Sequence, residues 1–234
     1  KAAGVDTNIG GERDQGVTGK CLVMVTPDAE RTMNTYLGIT SDLHEKHIHE
    51  DALAQSDYVY IEGYLVTSDT SRAAAVRVRE LARKHGVKVA MTFSDPAMVQ
   101  FFKDGLLEML GDGVDLLFCN EQEAKLLADT DDLNIAIDVI KQHAKTFAIT
   151  LGAEGALAFD GETLHKIAPH SVTAVDSNGA GDMFAGAFLY AITQDYGFDV
   201  AGRLASAASA QVVSQFGPRL DAEQHAPLKA HLQG

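Results

Sequence analysis

From Ser71 onward the sequence alternates between two hydrophobic periods, and that alternation restricts the fold more than any other feature. Ser71–His85, Val99–Leu110 and Leu133–His143 carry helical spacing, and glycines at 86 and 111 stop the first two. Between and after them lie short apolar runs: VKVAMTF (Val87–Phe93), VDLLFC (Val114–Cys119) and TFAIT (Thr146–Thr150). A strand that is apolar along its whole length is buried on both faces, so it needs helix cover above and below. Strands that alternate with helices form βαβ units. The expectation is an α/β fold with a mainly parallel sheet and helices on both faces, formed as one domain over residues 1–234.

The flanking segments read differently. Thr18–Gly38 contains two β-rich runs around Pro27-Asp28-Ala29-Glu30, a turn composition, and predicts a hairpin that stands apart as a flap or lid. SDLHEKHIHEDALAQ is polar and reads as a loop leading into a short helix. DYVYIEGYLV (Asp57–Val66) is a strand candidate ending near Glu62-Gly63. GALAFDGETLHKI predicts a second hairpin around Asp160-Gly161. One helix is expected to run to about Thr193, and another from Asp199 to about Gln215. The chain opens on Lys1, and KAAGVD reads as the end of a helix entering a turn. An N-terminal part of the domain, and strands with it, is therefore expected to be absent.

Composition narrows the partners. Hydrophobic content of 46% with 22% charged residues suits a soluble domain with a sizeable core. The formal net charge of −14 sets up a field that repels nucleic acid polymers and anionic membrane surfaces. A small phosphorylated ligand stays compatible, because helix N-termini and a divalent cation supply local positive potential. No run is long enough to span a membrane, and no signal peptide is visible. Cys21 and Cys119 sit far apart in apolar runs and read as reduced core residues of a cytoplasmic protein.

The unusual residues cluster just after strands: Ser94-Asp95-Pro96, Asn120 to Glu123, Thr150 to Gly152, and Asp176 to Asp182. Ligands of open α/β sheets bind at the carboxyl ends of strands, so four such clusters point to one site. In DSNGAGDMFAGAFL (Asp176–Leu189), Gly179-Ala180-Gly181 precede Asp182 and an apolar helix. Bare N–H groups at a helix start cradle an anion, and an adjacent carboxylate can act as a base. The same residues equally make a tight turn with a helix-stabilising aspartate, and residue types alone leave the two readings even. The string is neither G-x-x-x-x-G-K-[ST] nor G-x-G-x-x-G, which argues against a P-loop or a dinucleotide fingerprint.

Other candidates carry plainer readings too. Asn120 with Glu123 has capping-box spacing, and on the residues alone capping is favoured about two to one. Thr150, Gly152 and Gly155 suit a strand end and a turn. Glu62 and Asp95 fall at strand ends, where carboxylates are often simply solvated. His44, His47 and His49, with Glu45 and Glu50, lack H-E-x-x-H spacing, so a solvated loop outweighs a metal site by about five to one. Arg31 could clamp a phosphate or lie exposed.

DSNGAGDMFAGAFLYAI resembles the C-terminal signature of the ribokinase-like (PfkB) family of sugar and nucleoside kinases, D-[TS]-x-G-A-G-D followed by a helix. In the same order, NEQEA resembles the family's N-x-x-E motif and TLGAEGALAF its nucleotide-loop segment. ASAASAQVVSQFGPRL resembles its late helix near the purine. TPDAERTMNTYLG, FSDP and IEGYL look most like the adenosine-kinase-like branch, and the resemblance covers nearly the whole chain.

The resemblance implies transfer of the γ-phosphate of ATP, with Mg²⁺, to a hydroxyl of a sugar or nucleoside. It implies Asp182 as catalytic base and Gly179, Ala180 and Gly181 as an anion hole. It further implies Asn120 and Glu123 ordering Mg²⁺ through water, and Thr150, Gly152, Gly155, Ser206 and Ser209 along the nucleotide. Ser206 and Ser209 would otherwise be small residues chosen for helix packing. Glu62, with Asp182, would face the substrate. Lids in this family pair between subunits, which implies a homodimer. The family's early substrate-binding Asp and its G-G-x-x-x-N-x-A signature have no counterpart in this chain. A non-catalytic nucleotide-binding protein, or an inactive fragment lacking the substrate-binding half, is the alternative.

Overall fold

The computed structural model describes residues 4–6 and 15–233; the helix end read at residues 1–3 lies outside them. The chain first forms a hairpin, β1 (Lys20–Val25) and β2 (Arg31–Tyr36), paired antiparallel from Lys20↔Tyr36 to Val25↔Arg31 as a separate two-stranded sheet. A short helix, α1 (Glu50–Leu53), then leads into the main sheet. The order that follows is β3 (Tyr58–Glu62), α2 (Asp69–His85), β4 (Lys88–Thr92), α3 (Pro96–Leu110), β5 (Val114–Asn120) and α4 (Glu121–Ala128). Next come α5 (Leu133–His143), β6 (Ala144–Thr150), β7 (Ala156–Phe159) and β8 (Leu164–Ile167). Three helices close the described chain: α6 (Ala180–Ile192), α7 (Phe198–Val213) and α8 (Ala222–Leu228).

The six strands of the main sheet lie side by side in chain order, β3 to β8. β3 through β6 pair in parallel, whereas β6, β7 and β8 pair antiparallel because short links, one of them a single 3-10 turn at Gly152–Glu154, join them in place of a crossover helix. Alternate residues of each strand serve different cores. Val89 and Met91 of β4, Leu117 of β5 and Phe147 and Ile149 of β6 pack with α2 to α5 on one face. Ala90, Leu116, Phe118 and Ala148 pack with α6 and α7 on the other, together with Phe184 and Phe188. Helices therefore cover both faces, as the apolar strand runs required.

The helix starts differ from the sequence reading for a local reason. α2 begins at Asp69, capped by Ser68, whose Oγ accepts the Ser71 N–H. α3 begins at Pro96, in its first turn, after Asp95 accepts the Ala97 N–H at 2.8 Å. Apolar spacing finds the first packed turn, but caps lie one turn earlier. Apolar spacing gives no sign of α8, although Asp221 and Gln224 form a capping box, with the Asp221 N–H donating to Gln224 Oε1 at 2.7 Å. One expectation is overturned: Cys119 is buried, but Cys21 is exposed, because β1 belongs to the flap and has no helix over it.

Candidate active site

The parallel register sets the strand ends level with one another. Glu62 pairs with Thr92, and Asn120 with Thr150, so three of the four clusters read from the sequence, Ser94-Asp95-Pro96, Asn120 to Glu123 and Thr150 to Gly152, emerge on one edge of the sheet; Asp176 to Asp182 does not directly follow a strand, because β8 ends at Ile167. α6 brings its N-terminus to the same neighbourhood: the Asp182 charge acts on both Glu62 and Tyr60.

Gly179 caps α6 with φ +78°, a backbone region that favours glycine, and a Cβ there would lie 2.5 Å from the Pro218 carbonyl oxygen. Gly181 is the reverse case. It is exposed, and nothing lies within 4 Å of where its Cβ would be, so the helix start faces open space. The Ala180 N–H leans on the Ser177 carbonyl at 3.3 Å. Helix geometry leaves the Gly181 and Asp182 N–H groups without an intrahelical acceptor. Asp182 sits in this first turn with an exposed side chain.

The loop before α6 is held by a residue to which the sequence reading assigned no role. Asp176 is 4% exposed; its Oδ1 accepts the Asn178 N–H and its Oδ2 the Gly217 N–H, each at 2.9 Å. It thereby joins the glycine loop to the segment after α7. The signal was available, since Asp176 opens the motif, but its partner at Gly217 lies 41 residues away.

Asn120 and Glu123 form the full capping box of α4. The Asn120 N–H and Nδ2 donate to the two Glu123 carboxylate oxygens at 2.8 and 3.0 Å, and the Glu123 N–H donates to Asn120 Oδ1 at 2.8 Å. Glu123 is 3% exposed. Burial pushes its carboxyl up to about 7, against the pull of the Asn120 N–H and with a further push from Asp95. One buried carboxyl beside one amide suits a cation held through water better than a resident ion.

Glu62 is half-buried, and burial raises its pKa; the Ser94 hydroxyl donates to its Oε2 at 3.0 Å and pulls the other way. Asp95 spends one oxygen on the α3 cap. Thr150 and Gly152 border a cavity of about 720 Å³ that reaches past Asn120 and Gln122 to Lys125. Gly155 lies buried at the start of β7. Asp182 borders a different cavity, of about 660 Å³, walled by Met183, Tyr190, Leu204 and Arg219. Thr150 and Gly152 on one hand and Asp182 on the other thus line two openings rather than one. Ser206 and Ser209 donate to backbone carbonyls, Ala168 and Ala180 respectively, each at 3.1 Å; the second bond ties α7 to the start of α6. Of the histidines, His47 Nδ1 accepts the His44 N–H at 3.0 Å, closing a short helical turn. Among the described residues no helix is long and apolar enough to cross a membrane.

Comparison with known proteins agrees with this geometry. The model of the pfkB family carbohydrate kinases matches residues 1–225. The ribokinase of Haemophilus influenzae is 31% identical over 222 residues, covering 92% of this chain and 69% of that protein. The adenosine kinase of Saccharomyces cerevisiae is 28% identical, covering 95% and 68%. Among solved structures, the adenosine kinase of Sinorhizobium meliloti superposes with a TM-score of 0.87 at 32% identity, over 91% of this chain and 66% of that one. The chain thus spans about two thirds of the length of these relatives. A glycine-capped helix with Asp182 in its first turn, set beside level parallel strand ends, accompanies a match along nearly all of the chain, and on that match the chain belongs to the pfkB family of carbohydrate kinases.

Proposed function

We propose that this protein is an ATP-dependent kinase that phosphorylates a hydroxyl of a sugar or nucleoside. The observation that carries the reading is the start of α6, where Gly181 faces open space beside Asp182. There the exposed carboxylate of Asp182 takes the proton from the acceptor hydroxyl. The N–H groups of Gly179, Ala180 and Gly181, with the partial positive charge of the helix end, stabilise charge on the transferring phosphoryl oxygens. Because the Ala180 N–H already leans on Ser177, Gly181 would carry most of that contact. Glu62 orients the acceptor. Thr150, Gly152, Gly155, Ser206 and Ser209 would bound the nucleotide, and Asn120 with Glu123 would order water around the cation. ATP would supply the phosphoryl group, and Mg²⁺ would neutralise its oxygens.

The names of the relatives, ribokinase and adenosine kinase, support ribose- or nucleoside-type acceptors. The adenosine kinase of Anopheles gambiae, 28% identical with a TM-score of 0.77, was solved with a diadenosine tetraphosphate, which supports an adenine nucleotide here. A cytoplasmic setting belongs to the same reading, as does pairing of two copies through the hairpin, where Leu22 and Met24 are exposed. A non-catalytic nucleotide-binding protein is the competing reading. The deciding experiment is MgATP-dependent phosphorylation of a panel containing adenosine, ribose and fructose. Acceptor-dependent ADP release supports the kinase; ATP binding without turnover on any acceptor supports the competitor.

A further inference from the structure

Ser94 has φ +70°, a conformation uncommon for a residue with a side chain. It follows β4, its N–H donates to Thr92 Oγ1 at 3.1 Å, and its hydroxyl donates to Glu62 Oε2 at 3.0 Å across the ends of β3 and β4. The approach depends on Gly63: a Cβ there would stand 2.4 Å from the Phe93 carbonyl oxygen, so only glycine lets the chain after Glu62 close onto β4. Backbone held in a sparsely populated region needs surrounding structure to maintain it, and such positions concentrate at functional sites. Here the unusual backbone aims one hydroxyl at one half-buried carboxylate beside Asp182.

We propose that Ser94 is a positioning residue: its hydroxyl holds the Glu62 carboxylate in the orientation that receives the acceptor's hydroxyl groups. The inference rests on the kinase reading above, and on Glu62 contacting the acceptor. Without the bond, Glu62 keeps its burial and its neighbour Asp182 but loses the Ser94 hydroxyl as a donor. Its carboxyl then holds its proton to higher pH and turns among several orientations. Acceptor affinity suffers, while the phosphoryl-transfer step, which belongs to Asp182, changes little.

The test uses the whole chain with Ser94→Gly and Ser94→Ala. Both remove the hydroxyl, but glycine relaxes the φ +70° backbone and alanine does not. The first readout is the titration of Glu62, followed by NMR of carboxyl-labelled glutamate and assigned with Glu62→Gln. The second is steady-state kinetics with MgATP and adenosine or ribose. Both variants should move the Glu62 midpoint upward, raise the acceptor KM about tenfold, and leave kcat within about threefold, the range expected from losing one hydrogen bond to a charged group. An unchanged Glu62 midpoint in both variants overturns the proposal. A shift in Ser94→Ala alone overturns it too, since strain and not the hydroxyl would be the cause. A moved midpoint with an unmoved KM rejects Glu62 as the acceptor contact. Absence of turnover in the unmodified chain rejects the kinase reading, while the titration still decides whether Ser94 governs Glu62.

Discussion

Arg31 in β2 donates from Nη1 to the Ser177 hydroxyl at 3.1 Å, across 146 residues of chain. The Ser177 N–H in turn donates to the Ala29 carbonyl at 3.2 Å, and Ala29, at φ +64°, is buried in the hairpin turn. The flap therefore rests on the glycine loop that starts α6. Neither β1 nor β2 has a buried residue, so this contact, rather than a core, fixes the hairpin. Replacing Arg31 with Ala should free it: amide exchange in 20–36 should accelerate about tenfold, with the global melting temperature nearly unchanged. Equal exchange in both proteins would mean the turn contact alone suffices.

Asp182→Asn keeps the shape of the side chain and removes the carboxylate proposed as the base. Turnover should fall by about 10² to 10⁴, while ATP affinity by calorimetry stays within about threefold. Parallel loss of both would assign Asp182 to nucleotide binding instead.

The two glycines of the helix start should separate stability from function. Gly179→Ala forces a side chain against Pro218 in a left-handed conformation, and urea unfolding should show a loss on the order of 2–3 kcal/mol. Gly181→Ala meets no neighbour within 4 Å and should leave stability unchanged or slightly improved. Its methyl group would narrow the proposed phosphate seat, so ATP-dependent turnover should drop in a fully folded protein. Full activity in Gly181→Ala would remove that glycine from the anion hole.

Glu123 supplies a pH test. Its folded pKa, about 7, lies above the ordinary carboxylate value of 4.5, so the folded state binds the extra proton. Stability is then highest below about pH 4.5 and declines as pH rises through 7, by about 3 kcal/mol for this group. Glu123→Gln keeps an acceptor for the Asn120 N–H and carries no charge. Thermal melts should find the variant more stable than the unmodified chain at pH 8, with the gain vanishing near pH 5. A constant difference across that range would mean that Glu123 does not titrate as a buried acid.

Much of this was legible locally. The alternation of Val87–Phe93, Val114–Cys119 and Thr146–Thr150 with helical segments dictated a parallel sheet covered on both sides, because each run is apolar along its whole length. The Asn120–Glu123 cap and the Gly179 start of α6 were equally legible, since both act within a single turn of helix. The antiparallel end of the sheet follows from the short turns between β6, β7 and β8. What the tertiary structure alone decided involves partners far apart in the chain: Ser94 on Glu62, Asp176 on Gly217, Arg31 on Ser177, and the desolvation that lifts Glu123. Spacing rules read neighbours along one element. The pKa of a carboxylate and the docking of a flap depend on which elements pack together and how much water they exclude, and only the folded chain sets that.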